Sequence, residues 1–239
     1  MTTLFISDLH LQESRPELSG WLLKFLDGPA RQAEALYILG DLYEYWIGDD
    51  ALSPVATEVA ARTAQLDAAG VPCYFIHGNR DFLLGPAYAA QARLRLLPEE
   101  VVVELYGVPT LLLHGDTLCT DDLKYQAFRQ QSRDPAWQAA MLAQPVENRL
   151  RMAQEARAAS RQHTGSTAMN IMDVNPDAVI DAFERHQVAR MIHGHTHRPA
   201  FHDLVLRDGS PAQRIVLSDW DSNGSYLEVS EAGARAIAV

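Results

Sequence analysis

Short apolar runs alternate with helix-period segments through the first half of this chain. Thr3–Ile6, Ala35–Leu39 and Cys73–Ile76 are apolar stretches too short for helices, and they predict buried strands. Leu18–Asp27 and Pro54–Ala69 repeat apolar residues every three or four positions, and the second stops at Gly70; both predict helices. Val101–Leu105 and Thr110–Leu113 predict a hairpin turning at Gly107–Pro109. Further on, Met191-Ile192 starts another strand, and Ala212–Leu217 and Tyr226–Val229 predict closing strands. Strands alternating with helices and then a β-rich end predict a layered α/β fold.

The stretch 123–170 breaks this rhythm. It lacks β-branched runs and is rich in Ala, Gln, Arg, Met and Leu. Asp134-Pro135 reads as an N-cap followed by proline at the first helical position, and Pro145-Val146-Glu147 opens a longer helix. The expectation is a core made of 1–122 and 171–239, interrupted by a helical insertion at 123–170.

A formal net charge of -11 argues against a general nucleic-acid binder, which needs clustered Lys and Arg. A small anionic substrate stays open, because bound cations would reverse the local field. Neither Cys73 nor Cys119 sits in a CxxC pair, so two buried thiols in a reducing compartment are expected. The start of the chain lacks a basic region and a small-residue cleavage site, and no stretch approaches a bilayer span of ~20 apolar residues. A cytoplasmic monomer is expected, with room for peripheral contact with a membrane.

The candidate chemistry falls just past the predicted strands. Asp8 and His10 follow the first, Asp41 the second, Asn79 the third and His114 the fourth, while His195 and His197 stand in GHTH. Open α/β sheets place ligands outside the carboxyl ends of their strands, so five loops would deliver these groups to one edge. In extended backbone, residues i and i+2 point the same way, which would pair Asp8 with His10 and His195 with His197. Glycines at 40, 78, 115 and 194 leave room for tight turns. A mixed N/O set with one carboxylate able to bridge suits Mn²⁺, Fe²⁺ or Zn²⁺ rather than Ca²⁺. Two such ions roughly 3.5–4 Å apart can activate water and clamp phosphoryl oxygens for in-line displacement.

These motifs, Asp8-Leu9-His10, Gly40-Asp41, Gly78-Asn79-Arg80-Asp81, His114 and Gly194-His195-Thr196-His197, resemble the calcineurin-like metallophosphoesterase family. The resemblance implies a four-layer αββα sandwich and a dinuclear site. One metal would take Asp8, His10, Asp41 and His197, and the other Asp41, Asn79, His114 and His195. Where the family pattern has His after Gly-Asn, this chain has Arg80, which cannot give up a proton but can hold phosphate oxygens bidentately. A phosphate leaving group needs no proton, so Arg80 favours phosphoanhydride cleavage; its other reading is an ion pair with Asp81 or Asp41.

The longer motifs, GDLYEYWIGDD (40–50), HGNRDFLLG (77–85), LLHGDTLCTDD (112–122), IMDVNP (171–176) and IHGHTHRP (192–199), resemble the UDP-2,3-diacylglucosamine diphosphatase branch of that family nearly end to end. That resemblance implies two Mn²⁺ ions and a lipid-linked UDP-sugar substrate of lipid A biosynthesis, cleaved at the uridine-side phosphorus. It also implies work at the cytoplasmic face of an inner membrane. Asp41, Asn79, Arg80 and His195 would be catalytic. Asn79, Arg80, Asp122, Ser160, Thr164, Thr167 and His195 would line the substrate. Relatives often carry Asn and Lys at 164 and 167, so Arg157 and Arg161 are candidates to supply the missing charge. Trp137, Met141, Leu142, Leu150 and Met152 of the insertion would line an acyl-chain cleft; their other reading is ordinary packing. Glu44, Trp46, Asp49 and Asp50 are expected to brace the site, His77 to pack in the core, and Asp116 either to orient His114 or to play no part there. Two rival functions remain: a metallophosphoesterase acting on another nucleotide diphosphate or phosphodiester, and a non-catalytic scaffold, which intact ligands disfavour.

Overall fold

The structure, a computed structural model, describes residues 1–166 and 173–239. Among these residues eleven strands form two sheets. They are β1 (Thr3–Ile6), β2 (Ala35–Leu39), β3 (Cys73–Ile76), β4 (Leu94–Leu96), β5 (Glu100–Leu105), β6 (Val108–Leu113), β7 (Arg190–His193), β8 (Ala200–Val205), β9 (Pro211–Val216), β10 (Ser225–Ser230) and β11 (Gly233–Ala238). One sheet runs β11-β10-β1-β2-β3-β4 and the other β5-β6-β7-β9-β8. Within them β1 to β4 are parallel, as are β6, β7 and β9.

The strand period of two sorts side chains into layers. In β1 and β2, Leu4, Ile6, Leu36 and Ile38 face one core, while Phe5, Tyr37 and Leu39 face another. The first core packs under helices α1 (Pro16–Asp27), α2 (Pro54–Ala68) and α3 (Pro86–Ala92), which bring Leu22, Phe25, Val59 and Tyr88. The second lies between the sheets, where Phe5 and Ile76 meet Leu112, Ile192 and Ile215. On the far side, Leu111, Leu113 and Met191 pack with Val179 and Phe183 of a further helix, Pro176–His186. The order helix, sheet, sheet, helix is the four-layer αββα sandwich.

Three helices occupy the inserted stretch: α4 (Leu123–Ser132), α5 (Pro135–Leu142) and α6 (Val146–Ser166); the Pro176–His186 helix is α7. Asp122 caps α4 by accepting from Tyr125 N at 3.0 Å, and Asp134 caps α5 from Trp137 N at 2.8 Å, ahead of Pro135. The hairpin turns one residue earlier than the sequence pattern implies. Tyr106 and Gly107 take the positive φ angles, and Pro109 lies within β6. Among the described residues no helix is long and apolar enough to cross a membrane. Cys73 and Cys119 are buried and not joined in a disulfide.

Candidate metal centre

Because β1, β2, β3, β6, β7 and β9 all run the same way within their sheets, the loops that leave them gather at one end of the sandwich. Asp8 and His10 leave β1, Asp41 leaves β2, Asn79 leaves β3, His114 leaves β6, and His195 and His197 leave β7. Their convergence does not use extended backbone. Asp8, His10, Asp41, His195 and His197 have φ between 51° and 67°, and they are five of the eight non-glycine residues with positive φ among those described. L-residues avoid this region, at a cost of about 1–3 kcal/mol each, so strain is concentrated on the ligand candidates.

A buried carboxylate draws two of these loops together. Asp81 Oδ1 accepts from Gly78 N at 2.8 Å and Asp41 N at 3.3 Å, and Oδ2 accepts from Leu42 N at 2.7 Å. Asp81 is therefore a loop brace and not the partner of Arg80. Burial and the nearby Asp41 carboxylate push its pKa up to about 7. The approach leaves no space at Gly78, where an added Cβ would stand 2.9 Å from Asp41 Cγ and nearer still to its Oδ1 and N.

Two nests of lone pairs result. In the first, one ligand atom each from Asp8, His10 and His197 lie within 4.8 Å of one another. His10 Nε2 and His197 Nε2 are 3.2 Å apart, and His197 Nε2 is 3.4 Å from Asp8 Oδ1. Atoms of Asp8, Asp41 and His114 form a group within the same limit, so Asp8 belongs to both groups, while Asp41 belongs to one and its Oδ2 lies 4.0 Å from His10 Nδ1. In the second nest, Asn79 Oδ1, His114 Nε2 and His195 Nδ1 form a triangle of 2.9–3.2 Å.

The donor set fits divalent cations. His114 Nδ1 contacts Leu39 O at 2.8 Å, which makes it a donor and turns Nε2 into the nest. Burial lowers the His114 pKa, but the Asp41 and Asp8 carboxylates outweigh it and raise it, so a bound cation would take the place of the Nε2 proton. Nε2 faces the Asn79 amide oxygen at 3.0 Å, an acceptor, so a proton or a cation must stand between the two atoms. Asp8 Oδ1 is buried without a hydrogen-bond partner, a costly state that a cation would relieve. His197 Nδ1 lies 3.3 Å from Asp219 Oδ2, which fixes the other nitrogen toward the nest.

The pKa shifts follow from this crowding. Burial works against protonation of His197, yet the nearby Asp219 and Asp8 carboxylates win and push it up to about 10. Burial and the neighbouring His114 push His195 down to about 4. Asp8 is held well below the ordinary carboxylate range because His197 and His114 outweigh its burial.

The remaining candidates divide. Arg80 enters the site with Nε 3.3 Å from Asp41 Oδ2, and its Nη1 donates to Glu44. Arg157 and Ser160 share the inward face of α6, and Arg157 Nε donates to Glu44 at 3.1 Å. Asp122 has its carboxylate on the N-terminus of α4. Thr167 and the side chains of Arg161 and Thr164 lie outside the described residues. Asp49 braces the loop by accepting from Trp46 Nε1 at 3.0 Å and from Gly85 N and Tyr88 N at 2.9 Å, and Asp50 holds Arg149. His77 bonds Leu84 O at 2.7 Å, a structural role. Asp116 does not orient His114; it accepts from Tyr125 OH at 2.5 Å and Arg129 Nε at 2.9 Å, which pins α4 to the core. Sequence reading missed Asp219 and Arg133, whose Nη2 donates to Gly78 O at 2.9 Å. Asp219 follows β9, so the rule that located the other ligands could have found it.

Comparisons agree with this geometry. The family model for calcineurin-like phosphoesterase matches residues 1–199. A UDP-2,3-diacylglucosamine hydrolase of Stenotrophomonas maltophilia is 55% identical over 98% of this chain and 96% of its own. Proteins of the same name from Klebsiella pneumoniae subsp. pneumoniae and Enterobacter sp. are 54% and 52% identical, over 96% and 99% of this chain and 95% and 98% of theirs. A solved structure described as a novel archaeal phosphodiesterase aligns over all of both chains with a TM-score of 0.51 at 12% identity, a likeness of fold alone. With its motifs, its layers and its ligand edge all accounted for, the chain belongs to the calcineurin-like phosphoesterase family.

Proposed function

We propose that this chain hydrolyses the pyrophosphate bond of UDP-2,3-diacylglucosamine, releasing UMP and 2,3-diacylglucosamine 1-phosphate. The observation that carries the reading is the end-to-end similarity, at 52–55% identity, to relatives bearing that hydrolase name. The proposed cofactors are two Mn²⁺ ions, one on Asp8, His10, Asp41 and His197 and one on Asp41, Asn79, His114 and His195. When bound, such ions supply Lewis-acid polarisation of phosphoryl oxygens and an activated water.

The chain's own residues would do the rest. The contacts from Leu39 and Asp219 hold His114 and His197 with their Nε2 atoms turned inward. Asp8 and Asp41 are buried, which strengthens every charge interaction there. Water oxygen bonds to the uridine-side phosphorus, and the bridging oxygen departs with the sugar phosphate. That leaving group is stable as an anion, so Arg80 serves by donating hydrogen bonds to phosphate oxygens without transferring a proton. Asn79 and His195 would sit beside the reacting phosphate, and Asp122, Arg157, Ser160, Arg161, Thr164 and Thr167 are the residues assigned to its approach.

The stretch 123–170 is proposed as a cap for the acyl chains. Supporting this, Leu142, Val146 and Met152 keep 38–40% of their surface exposed, and α5 buries no residue fully, although Trp137 packs on Phe82. An acylated substrate would bring the protein to the cytoplasmic face of the inner membrane as a peripheral monomer. The test is Mn²⁺-dependent UMP release from UDP-2,3-diacylglucosamine, beside UDP-N-acetylglucosamine and bis(p-nitrophenyl) phosphate, with Asp41→Ala as the control. Turnover of the acylated substrate alone, lost in the variant, is expected. Turnover of the unacylated compounds alone would replace this reading with a metallophosphoesterase of another substrate.

A further inference from the structure

Glu44 lies outside the ligand set, three residues after Asp41, and is buried at the edge of the metal centre. Its Oε2 accepts from Arg80 Nη1, and its Oε1 accepts from Arg157 Nε at 3.1 Å. Arg80 comes from the loop after β3 and Arg157 from the inserted helix α6, so one carboxylate joins two cations from distant segments. The guanidinium groups repel each other. Burial and then the Arg80 charge lower the pKa of Arg157, yet neither group can shed its proton. Held in this way, Arg80 Nη2 and Arg157 Nη1 and Nη2 have no hydrogen-bond partner among the described residues. Two fixed guanidinium groups with unused donors beside a cation centre make a seat for a polyanion.

We propose that Glu44 is a positioning residue that clamps Arg80 and Arg157 into one pair, which grips the diphosphate of a nucleotide substrate. The identity of that substrate rests on the function proposed above. Docking of α6 does not depend on the clamp. Arg149 donates to Ile47 O at 2.5 Å and to both Asp50 oxygens at 2.7 and 2.5 Å, which ties the helix to the same loop elsewhere.

The sign of one measurement separates the clamp from simple charge. Removing a carboxylate from an anion site should tighten anion binding by Coulomb's law alone. A clamp requires the reverse, because the pair then drifts apart and must be reassembled by the ligand. The probe is the α,β-methylene analogue of UDP, titrated calorimetrically into the Mn²⁺-loaded protein. Glu44→Gln is expected to weaken binding about tenfold, and Arg157→Met similarly. The double variant should be no weaker than either single within about twofold, since both remove the same pair. Glu44→Asp, with a carboxylate too short to span both cations, should fall between, and Asp50→Asn should change binding less than about twofold.

Equal or tighter binding by Glu44→Gln overturns the clamp, as do multiplying effects in the double variant or a wild type that ignores the analogue. Thermal melts and metal content accompany each variant, and Glu44→Asp carries the test if the Gln variant is unfolded. Failure of the wild type to hydrolyse UDP-2,3-diacylglucosamine sinks the function above but leaves this result readable. The analogue carries the diphosphate without sugar or acyl chains.

Discussion

Gly78→Ala isolates the close approach on which the metal centre depends. Gly78 has no positive φ, so the change adds a methyl group without altering the backbone preference in the native turn. That methyl would stand 2.9 Å from Asp41 Cγ, and closer to Oδ1 and N, where ordinary contact begins near 3.4 Å. The surroundings cannot yield easily. Gly78 N and Asp41 N share the Asp81 carboxylate, and Asp41 Oδ1 also accepts from Arg80 N at 2.9 Å. Asp41 must therefore move by about 1 Å, a displacement that costs a reacting centre on the order of 10²-fold. Overpacking of this kind also costs about 1–3 kcal/mol of stability. The assay pairs Mn²⁺ affinity by calorimetry with kcat/KM and a thermal melt. Gly20→Ala is the control, because its Cβ meets nothing within 4 Å and lies in α1, where Ala is favoured by about 0.5–1 kcal/mol. A Gly78→Ala protein that binds Mn²⁺ and turns over within twofold of wild type would refute the contact reasoning.

Two further outcomes follow from the site. With its pKa pushed up to about 10 in the metal-free protein, His197 keeps its proton through the neutral range, and a cation must expel it. Mn²⁺ affinity should therefore rise with pH by up to about tenfold per unit between pH 6.5 and 8.5; a flat profile by calorimetry would show that His197 is already neutral. Asp81→Asn replaces an acceptor of three amide N–H groups with one that carries its own N–H. Unfolding in urea should show a loss of about 1–3 kcal/mol, and an unchanged midpoint would remove Asp81 as the brace.

How far the sequence reached depends on the range of the physics involved. Burial on both faces of β1, β2 and β3 wrote itself into continuous apolar runs, and their limits were legible to the residue. The seven ligand candidates were legible because parallel strands release their chains at one edge, so placing a residue after a strand places it in space. Edge strands β4, β8 and β11 and the helix α7 went unread. The strands are short, or half-exposed with alternating polarity, and they form only by pairing with neighbours the sequence does not name.

Only the tertiary structure decided the partners. Asp81 and Asp116 stand beside ligand candidates in the sequence, and the sequence alone permits an ion pair with Arg80 for one and a His114 contact for the other. Packing instead gave the first three backbone amides and gave the second Tyr125 and Arg129 of a helix nine to thirteen residues on. The left-handed φ at five ligand positions is likewise not decided locally: Asp and His enter this region more readily than most residues, but too rarely for the chain alone to single out these five. The residue types available to bind metal were fixed by the chain. Which carboxylate braces a loop and which holds a pair of arginines was fixed by what lay nearby after two sheets had closed on each other.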